Sequence, residues 1–426
     1  MKIRRYLSII ALLSGLLWGQ SAAEEVLTWQ DCLGEAKKNH PDLISALNSV
    51  NAQQAQKNIT ASALYPQLGA SLGASTGRTG ASTAARESDS YTYSVSGTQL
   101  AFDGLKTFHD IKAAGENIQV AEQNYRFVSA TIRYSLRSAF INVLSVQELI
   151  RVTDDIVTTR RDSLELITLQ YYSGLEHRGA LLTAEANLAQ AEFERAQAQR
   201  SLEAYQRQLT KEMGRGHYAS LQVKGDFDVR DAAKDKPDFE NLAKNHPSLL
   251  EAAAHKNAAA FGIKSAYADF FPQASASASA RKTTPTWPMQ KEVDAWSMGL
   301  TVDVPLFEGG LRMAQVAKAK AQYLQSDADE RSVRAGLVVA LEEAWKTLRD
   351  DTEEVKVRQK SLDAAQERSR ISEAQYSTGF ITFDNWIIIE NDLVLAKKAY
   401  LQAQASALQA EAAWIQAKGE TLEYAP

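Results

Sequence analysis

Two hydrophobic periods divide this chain. Over much of its length apolar residues recur every seven positions. Ile111, Ile118, Tyr125, Ile132 and Ala139 form one row, with Ala114, Ala121 and Val128 three positions later. Leu136, Val143, Ile150, Val157 and Leu164 continue the spacing. Leu341, Leu348, Val355 and Leu362 repeat it, interleaved with Leu337, Ala344 and Ala365. A sustained heptad predicts helices packed side by side as coiled coils. A helix from Gly104 to Tyr172 would be roughly 100 Å long at 1.5 Å per residue. Proline is absent between 67 and 236 and between 306 and 425, which leaves such helices unbroken.

Elsewhere the period is two. Leu68, Ala70, Leu72 and Ala74 alternate with Gly69, Ser71, Gly73 and Ser75, and Tyr91, Tyr93 and Val95 alternate with Thr92, Ser94 and Ser96. Ala274 to Ala280 alternates with serine, and Trp296, Met298, Leu300, Val302 and Val304 alternate with small or polar residues. Strands are expected at 67–77, 91–101, 273–281 and 296–304. Each has one apolar and one small polar face, the pattern of membrane β-strands.

The chain also repeats. Asn39-His40-Pro41-Asp42-Leu43 returns as Asn245-His246-Pro247-Ser248-Leu249, Tyr65-Pro66-Gln67 as Phe271-Pro272-Gln273, and Phe102-Asp103-Gly104 as Phe307-Glu308-Gly309. Gly174 and Gly214 are matched by Gly379 and Gly419, all about 205 positions later, which indicates a tandem duplication. The expected division is 24–214 for the first copy, 215–236 for a connecting segment, 237–419 for the second copy and 420–426 for a tail.

Composition removes several alternatives. The 426 residues carry a net charge of -5 with both signs mixed, so no basic block points to nucleic acid. Cys32 is the single cysteine, which excludes a disulfide framework. Lys2, Arg4 and Arg5 precede an apolar run over 6–18 and then Ser21-Ala22-Ala23. This reads as a secretory signal peptide over 1–23. No cysteine stands at the cut, so no lipid anchor is expected. The sequence has no phosphate-binding loop, metalloprotease helix or serine nucleophile elbow. No enzyme activity and no cofactor or metal are expected. His40 and His246 each precede a proline that opens a helix, a capping arrangement.

Four strands cannot close a barrel, and an open edge is not tolerated in lipid. The chain must therefore associate, and three copies give twelve strands, wide enough for a lumen. The two stretches QYYSGLEHRGALLTAE and QYSTGFITFDNWIIIE each break a long helix at a glycine and then turn apolar. They are expected to be hairpin turns far from the membrane.

The duplicated plan, the Asn-x-Pro-x-Leu near each copy's start, the Pro-Gln before each first strand, the Leu100-Ala101-Phe102-Asp103-Gly104 and Leu306-Phe307-Glu308-Gly309 junctions and the Tyr-x-x-Gly tips resemble the TolC-like outer-membrane efflux protein family. The resemblance implies a mostly α fold with a membrane β-barrel: a homotrimer with a twelve-stranded barrel in outer-membrane lipid and a helical tunnel across the periplasm. Function follows as a passive export duct of a tripartite efflux or type I secretion system. Its partners would be a periplasmic adaptor and an inner-membrane transporter of the RND, ABC or MFS type. It also implies adaptor docking at the tips, through Gly174, Leu175, Leu181, Leu182, Gly379, Phe380 and Trp386. Entrance gating falls to Glu176, Arg178, Tyr376, Asp384, Asn385 and Glu390. Family members carry aspartates six and nine positions past the second tip glycine, where this chain has Asn385 and Ile388. Either Asp384 or Glu390 substitutes, or the constriction is neutral. Tyr376 matches the family's locking tyrosine, while Ala180 offers it no side-chain acceptor. From the residues alone a non-pore coiled-coil scaffold or adhesin stays open beside the duct.

Overall fold

The computed structural model describes residues 25–79, 86–229, 235–287 and 293–423. The expected leader over 1–23 lies outside them. The first half runs β1 (Glu25–Thr28), α1 (Trp29–Asn39), α2 (Pro41–Ser62), β2 (Gln67–Thr79), β3 (Arg86–Phe102), α3 (Lys106–Tyr172) and α4 (Arg178–Glu212). The second runs β4 (Leu221–Lys224), α5 (Phe239–Lys244), α6 (Pro247–Ala268), β5 (Gln273–Thr284), β6 (Val293–Asp303), α7 (Leu311–Ser377) and α8 (Phe383–Ala417). The helix pairs α2/α6, α3/α7 and α4/α8 have equal lengths of 22, 67 and 35 residues.

The protomer is a wall four elements wide along its whole length. The sheet order is β2-β3-β5-β6, antiparallel throughout. Beyond it the helices follow the same order, α2 on α3, α3 on α6 and α6 on α7, and farther still α4 on α3, α3 on α8 and α8 on α7. The strands extend past the alternating segments. The β2–β3 ladder starts at Thr79 and Arg86, not 77 and 91, and β5 reaches Thr284 instead of 281. β6 begins at Val293, before the expected 296. Backbone pairing does not require apolar side chains, so the polar strand ends stay in the ladder. β6 ends at Asp303, one residue short of expectation, and two positions on stands Pro305, which has no N–H to donate.

The faces of the sheet are chemically distinct. Leu68, Leu72, Val95, Trp296, Met298, Leu300 and Val302 occupy one and are all more than half exposed in the single chain. Hydroxyls occupy the other, where Ser71 pairs with Ser94 at 2.8 Å, Ser279 with Ser297 at 2.9 Å and Thr92 with Thr283 at 3.2 Å. Aromatic residues flank both ends of the apolar band. Tyr91 and Trp287 pack at the hairpin end, and Tyr65, Phe102 and Phe271 stand exposed at the helix end. Such belts suit the two interfaces of a bilayer.

Strand passes to helix through two consecutive left-handed residues in each copy, Gly104-Leu105 and Gly309-Gly310. A Cβ on Gly104 would come within 2.7 Å of the Ala268 carbonyl and of Phe271. Leu105 is the only non-glycine with positive φ among the described residues, a conformation that costs an L-residue about 1–2 kcal/mol.

The largest core sits at mid-height, where α1, α3, α4 and a parallel β1–β4 pair meet around Cys32, Leu136, Phe140, Leu209, Met213 and Leu221. β4 lies within the segment expected only to connect the copies. His40 and His246 cap α2 and α6 through Nδ1, which accepts from the amides of Asp42 and Ser248. Arg215 grips Glu25 and Glu35 with both forks of its guanidinium at 2.6–3.0 Å.

α3 and α7 both turn their heptads inward, α7 burying Leu341, Leu348 and Ala365, but α7 carries further apolar residues off the heptad. α3 hides Ile118, Ala121, Ile132, Leu136, Ala139, Val143 and Val157. α7 leaves Met313, Leu324, Val339, Val357 and Ile371 exposed. At 100° per residue these five fall within roughly 80° of one another on α7. Among the described residues, no helix is long and apolar enough to cross a membrane.

Candidate functional site

The ends of the two helical hairpins are built alike. Gly174 and Gly379 sit at φ +74° and +76°. Leu175 N–H donates to the Gln170 carbonyl and Gly174 N–H to that of Tyr171. The second tip repeats this with Phe380 to Gln375 and Gly379 to Tyr376. These are Schellman endings, which need a left-handed residue and so favour glycine. The residue after the glycine ordinarily folds back on its helix. Here Leu175 and Phe380 are instead 77% and 82% exposed. Both helix-to-helix turns then close on an N-cap, His177 or Thr382, and His177 Nδ1 accepts from the Ala180 amide at 3.1 Å.

Behind the turns lies a joint core of Ile167, Ala180, Ala184, Tyr376, Phe383, Trp386 and Ile387, with Leu181 and Ile381 packed against it. Tyr376 is stacked on Trp386 and meets Phe383 edge-on. Its hydroxyl lies 2.5 Å from Gln170 Oε1 and 3.0 Å from Glu176 Oε1, one proton facing two acceptors that both belong to the first tip. Burial, then the Glu176 carboxylate, push the Tyr376 phenol above its ordinary pKa, so it stays protonated. Tyr376 therefore ties the second tip to the first, in place of the side-chain bond that Ala180 cannot offer. Gln170 was not among the sequence candidates; its only signal was its position four residues before Gly174.

Two expectations need correction. Trp386 was placed on the docking surface, but it is 4% exposed. Its ring is held between Tyr376 and Phe383, so the outward apolar residues are Leu175, Leu182 and Phe380, with Tyr172 at 80% exposure as an addition. Glu390 was a candidate entrance carboxylate, yet it is 6% exposed and accepts the Ser369 hydroxyl at 2.5 Å. Arg160 lies beside it, donating to Asn391 at 2.6 Å. Burial lowers the Arg160 pKa, opposed by Glu390 and Glu194. Lys398 pairs with Glu194, so this polar set spans all four helices of the lower wall. The exposed acidic residue of the second tip is Asp384, in the first turn of α8 beside exposed Asn385. A carboxylate there complements the helix dipole. Arg178 opens α4, also exposed. Among the described residues, no group of three or more His, Cys, Asp or Glu is placed to hold a metal.

A wall of long helices continuing a two-faced, four-stranded sheet is the protomer architecture of outer-membrane channels with a helical tunnel. Solved structures share it. A membrane protein from Pseudomonas aeruginosa superposes at TM-score 0.81 with 18% identity, over 91% of this chain and 93% of that one. The outer membrane protein VceC of Vibrio cholerae gives 0.77 with 19% identity, over 92% and 96%. By sequence the chain is similar to the outer membrane efflux protein BepC of Brucella suis biovar 1, 25% identical over 410 residues, covering 92% of this chain and 85% of BepC. The outer membrane efflux protein family model matches residues 32–215 and 239–420. The chain belongs to that family, a family of efflux channels and not of enzymes, and its place is the outer membrane.

Proposed function

We propose that three copies of this chain form a passive export duct. Their sheets close a twelve-stranded barrel in the outer membrane, and their helices continue it as a tunnel through the periplasm. The observation that carries this reading is the sheet itself, apolar on one face, hydroxyl-lined on the other, and unpaired at β2 and β6. Open edges cannot persist in lipid, and four strands are too few to close. The exposed stripe on α7 supports the same closure, since α7 and α2 are the edges of the helical wall next to the sheet. A scaffold without a pore gives no reason for a two-faced sheet.

The tips serve a second role in this proposal. Exposed Leu175, Leu182, Phe380 and Tyr172 form the docking face for a periplasmic adaptor, which links the duct to an inner-membrane transporter of a tripartite or type I system. Exposed apolar groups at the end of a polar rod are otherwise unfavourable. The bond from Tyr376 to Gln170 and Glu176 holds the entrance closed, and Asp384, Asn385 and Arg178 present the polar groups there. Energy comes from the transporter.

The test is planar-bilayer recording on detergent-purified protein together with chemical cross-linking. The expected result is discrete conductance and a trimeric cross-linked species. A monomeric protein that stays in aqueous buffer and does not conduct would sink the proposal.

A further inference from the structure

The hydroxyl face of the sheet is nearly free of charge. Reading the ladder across, its rows are Ser75 with Ser90, Gly73 with Thr92 and Thr283, Ser71 with Ser94, Arg281 and Ala295, and Gly69 with Ser96, Ser279 and Ser297. Below them come Thr98 with Ser277 and Gly299, then Ser275 with Thr301, and Gln273 with Asp303. From the Ser75–Ser90 pair inward, only Arg281 and Asp303 are charged among the described residues of this face.

Arg281 stands on β5, an interior strand. Its lateral neighbours are therefore Ser94 and Ala295 of the same chain, and Ser279 and Thr283 flank it along the strand. None of these is a carboxylate, and strand pairing with another copy, which can occur only at β2 and β6, changes none of them. Arg281 is exposed on that face. It lies next to the row of Tyr93 and Lys282, at the hairpin end of the apolar band. Asp303 lies at the helix end, eight residues from Ala295 along β6, which is roughly 26 Å at 3.3 Å per residue. That separation exceeds the Debye length of about 10 Å at 0.1 M salt, so the two charges act on solutes separately.

We propose that Arg281 is the charge-selecting residue of the outer part of the lumen and gives it a preference for anionic solutes. The inference rests on the barrel reading above, in which the hydroxyl face lines the lumen and three copies bring three guanidinium groups to one level. Guanidinium keeps its charge at any physiological pH. Among the described residues of this face no carboxylate stands at that depth, so the local potential is positive. Asp303 makes the inner end of the barrel acidic, and an anion meets that charge first and the arginine ring last.

The experiment is reversal-potential measurement in planar bilayers under a KCl gradient at 0.1 M on the dilute side, for the wild-type protein, Arg281→Lys, Arg281→Gln and Arg281→Glu. The expected result is that Arg281→Gln moves the reversal potential toward that of potassium and Arg281→Glu moves it farther. Arg281→Lys should match the wild type, and Asp303→Asn should move it the opposite way. The same potential in wild type, Arg281→Gln and Arg281→Glu, with all three conducting, overturns the charge assignment while leaving the duct intact. A wild-type protein that does not conduct removes the duct and this inference with it.

Discussion

Tyr376 lies flat against Trp386, ring centroids 4.6 Å apart and planes within 5° of parallel. The two residues stand on opposite sides of the Gly379 turn, so the stack closes the second tip on itself. Its neighbour Phe380, one residue past the glycine, points outward. In the proposed duct, structure and docking are thus divided between aromatic residues of one tip. Trp386→Ala should lower stability by about 3–5 kcal/mol, as for other buried aromatic deletions. Phe380→Ala combined with Leu175→Ala should change it by less than about 0.5 kcal/mol yet impair efflux. Thermal melting beside drug-susceptibility complementation separates the two; equal melting points for both variants would contradict the division.

Removing only the Tyr376 hydroxyl leaves the stack intact. Tyr376→Phe should cost about 0.5–1.5 kcal/mol for the lost hydrogen bond and raise single-channel conductance, because the hydrogen bond that ties the second tip to Gln170 and Glu176 is then gone. Gln170→Ala should shift conductance in the same direction. Conductance unchanged in both variants would show that this bond does not restrain the entrance.

At mid-height, hydrogen bonds from Arg215 hold the Glu25 carboxyl below its ordinary pKa of 4.5. A depressed carboxylate stabilises the fold above its unfolded pKa and loses that contribution as pH falls through the folded value. The melting-temperature gap between wild type and Arg215→Met should therefore be constant above about pH 5 and shrink below about 4.5. A gap that widens on acidification would reverse the assignment.

In the proposed barrel, the two faces of β6 should respond differently to charge. Met298→Arg on the apolar face should cost about 2–4 kcal/mol of stability in lipid, while Ser297→Arg on the hydroxyl face should be tolerated and reduce conductance. Urea unfolding from lipid vesicles measures the first effect and bilayer recording the second. Similar destabilisation by both would mean that the faces are not lipid and lumen.

The long helices and the two-faced strands were readable because their periods persist: eight heptad positions on α3 that the sequence marks as apolar are buried. The parallel β1–β4 pair was not, since four residues are too short to show alternation and the pairing joins positions about 200 apart, beyond any local signal. The polar ends of β3 and β5 escaped for a related reason, as pairing there rests on the backbone. At the tips, the glycines follow from local rules, whereas the exposure of Leu175 and Phe380 runs against the usual fold-back of the residue after a Schellman glycine. The burial of Trp386 and Glu390 does not. An apolar or charged residue after a helix turn can face either a neighbouring helix or water, and only the packing of α7 and α8 against α3 and α4 decides which.

One side of the wall is β6 and then α7, a strand and a single helix reaching from the membrane sheet to the tip. The other side changes element at mid-height, with β2 and α2 above and α4 below. In the proposed ring each seam therefore joins an unbroken stave to a jointed one. In that ring α7 would meet α2 beside the sheet and α4 toward the tips, so the two halves of each seam are built by different helices.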